Sequence, residues 1–302
     1  MVKPESEDSI RLALGTAQLG FNYGIANVNG KPSLKQAREI LQTALANGIT
    51  MFDTAQAYGE SEAAIGKCTK KSQKGKLKII TKLGPNFRID DTDAVVAAVR
   101  ESLTKLGISR LFGLLLHRAE QMKMWNDGGL KTVKKLKGDG LIEHFGVTMS
   151  YHMDEISSLM DISDVKMFQL PFNIWDRRAY KKGIISAAKD RTKIVFIRSI
   201  FLQGLAFMDD LPPRLLLLRP LQNQAKSFCL NRKISLPHFC LQYALSRCPD
   251  AVVVIGAETS KQVIENIRLC QNTLPIEIFN EWEKTCPEFT HEQISPYAWP
   301  AQ

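Results

Sequence analysis

The chain has 302 residues, of which 44% are hydrophobic and 24% charged, the balance of an ordinary globular protein, which excludes low complexity and extensive disorder. Its formal charge of +9 is spread over stretches such as "KTVKKLKGDG" and "KKSQKGKLK" that read as solvent faces, so no nucleic-acid partner is expected and an anionic cofactor or substrate accounts for the charge as well. No apolar run approaches the roughly 18 residues of a membrane span, "MVKPESEDSI" is too polar for a signal peptide, and six cysteines without a CxxC pair read as reduced thiols, so a cytoplasmic protein without membrane, zinc or disulfides is expected.

In chain order, short apolar runs alternate with helical patterns. The runs are "RLALG", "TMFDT", "LKIITKLG", "LFGLLLH", "HFGVT", "KMFQLPF", "KIVFIRS" and "AVVVIG". Continuous apolar strands separated by helices imply parallel βαβ units covered on both faces. Between the first two strands lies "SLKQAREILQTALANG", with Ser33 as N-cap and Gly48 as C-cap; after the third comes "DTDAVVAAVRESLTKLG", closed by Gly107. "GGLKTVKKLKGDG" is closed by Gly138 or Gly140, and "MDEISSLM", "AYKKGIISAAKD", "LPHFCLQYALSRC" and "SKQVIENIRLC" follow. Eight such alternations predict an α/β fold, a (β/α)8 TIM barrel, as a single domain over residues 1–302 with extended loops at the C-terminal face of the sheet. A doubly wound sheet is the competing architecture, but the GxGxxG fingerprint is absent from "LGTAQLGFNYG". The longest strand-free stretch, around "FMDDLPPRLL", has room for a loop over the barrel mouth and an extra helix. The tail, carrying Trp282 and Trp299, is expected to pack back on the barrel or reach that mouth.

In such a barrel chemistry sits where strands end. The second run ends at Asp53, the third near Lys82 and the fourth at His117, while Tyr58 lies in the loop after the second. Singly, each has an ordinary explanation: a solvated lysine, a turn-capping aspartate, a structural histidine. Together, on successive strands, they outline a proton-donating site. The phenol of Tyr58 has an unperturbed pKa of about 10, high for work at neutral pH. Lys82 could favour its phenolate, Asp53 could hold Lys82, and His117 could bond the substrate oxygen. Glu62 reads as a first-turn residue of a helix with Ser61 near its N-cap, and Gly59 and Gly66 as turn and close-packing glycines.

"GITMFDTAQAYGESEAAIG", with "ITKLG" and "LLLHR" at fitting distances, resembles the signature of the aldo-keto reductases, and the resemblance extends from "LALGTAQLG" to "VIENI". It implies a (β/α)8 barrel that transfers hydride between NAD(P)H and a carbonyl without metal, with Asp53, Tyr58, Lys82 and His117 as the catalytic residues and Tyr58 as general acid and base. The resemblance also implies cofactor contacts at Gly15, Thr16, Thr148 and Gln169, and, through "FIRSIFLQGL", at Arg198, Ser199, Phe201, Leu202 and Gly204. Gly256, Thr259, Gln262, Glu265 and Asn266 complete that set in "VIGAETSKQVIENI". Thr259 with Gln262 also satisfies the pattern of a capping box.

The match is imperfect in places. Met149 stands where an Asn would hold the nicotinamide carboxamide. Arg198 replaces an aromatic residue that stacks on the ring, a place a planar guanidinium can also fill. Thr259 replaces a basic residue that binds the 2′-phosphate, for which Lys261 could substitute, so NADP(H) is expected over NAD(H). "RSIFLQG" and "PFNIWDRR" resemble a bacterial branch with sugar-related members. The expected substrate is a small aldehyde, ketone or sugar, with Phe21, Tyr23, Trp175 and Trp299 as candidate pocket residues, and the chain is expected to act as a monomer or small homo-oligomer. The alternative in another class is a nucleotide-sensing regulatory subunit of the same fold, resembling potassium-channel β subunits. The complete catalytic set favours the enzyme.

Overall fold

A computed structural model describes residues 10–149 and 153–300. The N-terminal leader reading therefore falls outside the described residues. Eight parallel strands close into one barrel in chain order: β1 (Leu12–Gly15), β2 (Met51–Asp53), β3 (Lys78–Leu83), β4 (Leu111–Leu116), β5 (Ile142–Thr148), β6 (Val165–Pro171), β7 (Ile194–Arg198) and β8 (Val252–Gly256). The ring shuts where Leu12 to Gly15 pair with Val253 to Gly256. Each strand is one of the apolar runs read from the sequence.

Two cores result. Inside the barrel, Ala13, Ile80, Phe112, Leu115, Met167, Phe196 and Val254 fill the lumen. The larger core lies between the sheet and the surrounding helices. Alternate residues of one strand serve the two cores, which is why the strands are apolar throughout. Gly146 lets β5 approach β6 at a register shift, since a Cβ there would fall 2.1 Å from the Met167 carbonyl oxygen.

The helix Leu34–Ala46 carries the capping box formed by Ser33 and Gln36, and Gly107, at φ 65°, closes Thr92–Leu106. Two boundaries differ from expectation, and a third, left open between two glycines, is decided at Gly140. Asn47 caps Leu34–Ala46, with the left-handed Gly48 one residue beyond it. Gly138 remains helical in Leu130–Gly138, and Gly140, at φ 70°, makes the turn. The pattern "AYKKGIISAAKD" is broken at Gly183, whose φ of 66° separates Arg178–Lys181 from Ile184–Asp190. In each case the glycine that can turn left-handed decides the end.

The stretch after β7 folds over the mouth through the short turns Leu202–Phe207 and Pro213–Leu218, and the extra helix Arg219–Leu230 follows. The tail packs back on the barrel. Trp282 is fully buried with its indole N–H donated to Ile174 O, and Arg177 donates to the carbonyl oxygens of Cys286 and Pro287.

Candidate active site

All eight strands deliver a site residue to the same rim: Gly15, Asp53, Lys82, His117 just past β4, Thr148, Gln169, Arg198 and Gly256. Asp53 and Lys82 form the centre. Lys82 is 1% exposed and Asp53 5%, and the ammonium donates to Asp53 Oδ1 at 2.7 Å and to Thr54 O at 3.1 Å. Asp53 Oδ1 also accepts from Gln169 Nε2 at 2.8 Å. A buried lysine needs such a counter-charge and acceptors to stay charged.

Tyr58 stands over this pair. Lys82 Nζ lies 4.9 Å from its ring centroid, and the His117 ring meets it edge-on at 6.0 Å. The ammonium is thus close to the phenol ring, without a direct hydrogen bond to its hydroxyl. Burial pushes the Tyr58 phenol above its ordinary range, the charge of Asp53 adds to the rise, and Arg198 opposes it. The phenol therefore holds its proton at neutral pH. His117 shifts the other way: burial, helped by Lys82, Arg118 and Arg198, lowers its imidazole to about 4 and keeps it neutral. Its Nδ1 is buried without a partner, and a buried lone pair costs less than a buried N–H, so Nε2 carries the proton.

The loops that hold Tyr58 are pinned by hydroxyls. Thr54 donates to Ser61 Oγ, Ser61 bonds Thr16 at 2.8 Å, and Thr16 donates both its amide and its hydroxyl to Asp53 O at 2.9 Å. Thr16 thus ties β1 to β2, with its hydroxyl, amide and carbonyl all engaged within the protein, the carbonyl by Ser61 and Leu19. Ser61 is buried inside the helix Ser61–Cys68, with Glu60 at the N-cap. Glu62, 2% exposed, accepts from Thr81 Oγ1 at 2.6 Å, a bond that turns this first-turn residue into a link to β3.

Beside Asp53 two more buried atoms lack partners, Thr148 Oγ1 and Gln169 Oε1. A buried polar atom left unpaired is costly, so each keeps an unused hydrogen-bonding capacity, although neither residue lines the cleft that Asp53 borders. A primary carboxamide has the complementary groups: its N–H can donate to Gln169 Oε1 and its carbonyl can accept from Thr148. Arg198 borders this place from β7, donating to Met149 O and Ser199 Oγ, both at 3.1 Å. Its side chain spans from β7 to the end of β5.

A cleft of about 500 Å³ runs from Asp53, Tyr58 and Arg198 past Gly15, Ser199, Phe201 and Gly204 to Gly256, Gln262, Glu265 and Asn266. At Gly256 a Cβ would lie 2.3 Å from Gln18 Nε2, so a larger residue would displace the flexible end of that side chain in the wall of the cleft. The loops after β1 and β7 meet where Ile25 donates to Gln203 O at 3.0 Å. Leu202, at φ 45°, is wholly buried core and does not border the cleft. Thr259 turns inward to cap Gln262 N at 3.2 Å, but Gln262 Oε1 reaches past it to Glu258 N at 2.6 Å, so the expected capping box closes on the preceding residue.

Of the candidate pocket residues, Phe21 packs on Tyr23 and Tyr58, and Tyr23 lines the cleft. Trp175 and Trp299 are buried, with their indoles bonded to Leu221 O and Glu292 O, and serve packing. The tail brings Tyr297 and Ser295 to a small side cavity next to Arg198. Glu258, Asp209, Asp210 and Gln18 also line the cleft and were passed over in the sequence; the acid in "GAETS" next to a strand-end glycine was the available signal. Among the described residues no cluster of His, Cys, Asp and Glu could hold a metal, and no helix is long and apolar enough to cross a membrane.

The profile of the aldo/keto reductase family matches residues 11–286. Among solved structures the chain is similar to aldo-keto reductase AKR11C1 from Bacillus halodurans in its holo form, at 20% identity and TM-score 0.76, covering 94% of this chain and 95% of that one. It is also similar to an aldo/keto reductase from Klebsiella pneumoniae in complex with NADP and acetate, at 17% identity and TM-score 0.73, covering 93% of each chain. The NADH-specific methylglyoxal reductase of Escherichia coli (strain K12) is 22% identical over 293 residues, 85% of this chain and 88% of that protein. Three other curated relatives are spanned over only 47–60% of their length.

Proposed function

Because the chain belongs to the aldo/keto reductase family, we propose that it reduces a small aldehyde, ketone or sugar carbonyl with NAD(P)H, Tyr58 delivering the proton to the carbonyl oxygen. The observation that carries this reading is the Tyr58 phenol, a protonated donor at the edge of an open cleft, with a buried ammonium 4.9 Å from its ring centre and a neutral imidazole beside it.

When bound, the reduced nicotinamide supplies the hydride; the residues of the chain manage the oxygen and its proton. Gln169 and Thr148 would hold the carboxamide through the two atoms that otherwise lack partners. The Tyr58 hydroxyl has no hydrogen-bond partner among the described residues, so it is available to an oxygen placed in the cleft. His117 donates its Nε2 proton to that oxygen and fixes its position while negative charge develops. As the phenol gives up its proton, the positive charges of Lys82 beside the ring and Arg198 in the same cleft stabilise the phenolate. Water at the mouth then returns the proton. In the oxidative direction the phenolate would serve as base, and its raised pKa makes that direction demand alkaline pH.

The test is Tyr58→Phe, which keeps the ring over Lys82 and removes the hydroxyl. We expect kcat for an aldehyde panel to fall by about 10²–10⁴, the range general acid catalysis supplies, with the dissociation constant of the reduced cofactor changed less than about threefold. Equal turnover by wild type and variant would overturn the assignment. The NADP-bound relative from Klebsiella pneumoniae supports the NADP(H) preference expected from the sequence, and the NADH-specific relative from Escherichia coli supports the opposite one. The cleft itself bears on the choice.

A further inference from the structure

We propose that the adenosine end of the cleft is built for NAD(H) over NADP(H), with Glu258 accepting the ribose hydroxyls where a 2′-phosphate would otherwise sit. The inference rests on the reading above and departs from the cofactor preference expected from the sequence.

The charges lining the cleft carry it. Among the described residues, Arg198 is the one basic side chain on its wall, and it stands at the end of β7 with Tyr58 and Asp53. Toward the other end the wall carries Glu258 and Glu265 from the segment after β8 and Asp209 and Asp210 from the loop after β7. Lys261, the residue that could have met a 2′-phosphate, is exposed and does not border the cleft. A phosphate monoester brings about two negative charges at neutral pH. Among carboxylates it would be repelled; a ribose diol would instead donate two hydrogen bonds to a single carboxylate.

Glu258 is placed for that task. It is half-buried, burial pushes its carboxyl above the ordinary range, and among the described residues no cation or hydrogen-bond donor meets its carboxylate. Its own backbone amide is spent on Gln262 Oε1 at 2.6 Å. The amide of Gln262 is likewise spent, on Thr259 Oγ1. The start of the helix Ser260–Gln271 is therefore partly satisfied from within, which weakens it as a phosphate site. Glu258 keeps its acceptors for hydroxyls.

Binding measured by quenching of intrinsic fluorescence, without turnover, tests this. The wild-type chain should bind NADH at least tenfold more tightly than NADPH, and 5′-AMP more tightly than 2′,5′-ADP. Glu258→Gln should weaken NADH about tenfold and leave NADPH unchanged or improved, while Glu258→Lys should reverse the order of the two cofactors. NADPH binding as tightly as NADH in the wild type, or Glu258→Lys leaving their ratio unchanged, would overturn the proposal and leave the reductase reading standing. Failure of the wild type to bind either cofactor would overturn both.

Discussion

Lys82 illustrates how a single residue changes meaning when its partners are known. As a lysine ending an apolar run it is an ordinary solvated charge. Held at 1% exposure between Asp53 and Thr54 O, it is a buried ion that neither partner could lose cheaply, since a lone buried charge costs about 3–5 kcal/mol. His117 beside it yields a pH prediction. Its imidazole titrates near 6.5 when unfolded and at about 4 when folded, because burial and nearby cations disfavour the charged form. Between those values the unfolded chain binds more protons, so folding stability is unaffected by His117 above about pH 6.5 and falls as pH drops toward 4. His144, also lowered by burial, acts with the same sign. Urea unfolding at pH 7.5 and 5.0, for wild type and His117→Gln, should give a shallower pH dependence in the variant; parallel curves would show that His117 is not desolvated as described.

At the scale of elements, the site depends on how closely loops and helices approach. The loops after β1 and β2 touch backbone to backbone: a Cβ on Gly20 would lie 1.7 Å from the Tyr58 carbonyl oxygen, and one on Gly59, at φ 52°, 2.7 Å from Gly20 O. Gly66 does the same for the helices Ser61–Cys68 and Thr92–Leu106, with Lys105 O at 2.0 Å from its would-be Cβ. The two contacts should separate by readout. Gly20→Ala must shift Tyr58 and is expected to lower kcat by about tenfold or more, because small displacements of a catalytic group are expensive. Gly66→Ala should cost about 1–3 kcal/mol in thermal or denaturant unfolding, with kcat per folded molecule unchanged. If Gly20→Ala reduced stability alone, the coupling between that loop and Tyr58 would be wrong.

For the whole molecule, one barrel lumen, one surrounding core and a tail anchored by Trp282 and Arg177 lead us to infer one cooperative unit. Unfolding followed by far-UV circular dichroism and by tryptophan fluorescence should give coincident single transitions, whereas separate midpoints would reveal independent parts. The sequence by itself determined the barrel and the polar residues at its rim, because both are written locally: an apolar run specifies a strand buried on both faces, and the polar residue near its end lands at the strand's C-terminal end. Asp53, Lys82 and His117 were legible for that reason, and Tyr58 because it follows Asp53 so closely. Tertiary structure alone decided what depends on distances between remote segments. It brings the Lys82 ammonium to 4.9 Å from the centre of the Tyr58 ring, spends the hydroxyls of Thr16 and Ser61 on one another, leaves Thr148 and Gln169 with unpartnered atoms, and turns Thr259 and Gln262 back onto their own helix. It also gathers Glu258, Glu265, Asp209 and Asp210 along one cleft from two stretches of chain. Local pattern records which side chains a strand presents; only the closed barrel decides which of them meet and which charges share a cavity, since electrostatic and hydrogen-bond energies follow separation in space and not along the chain.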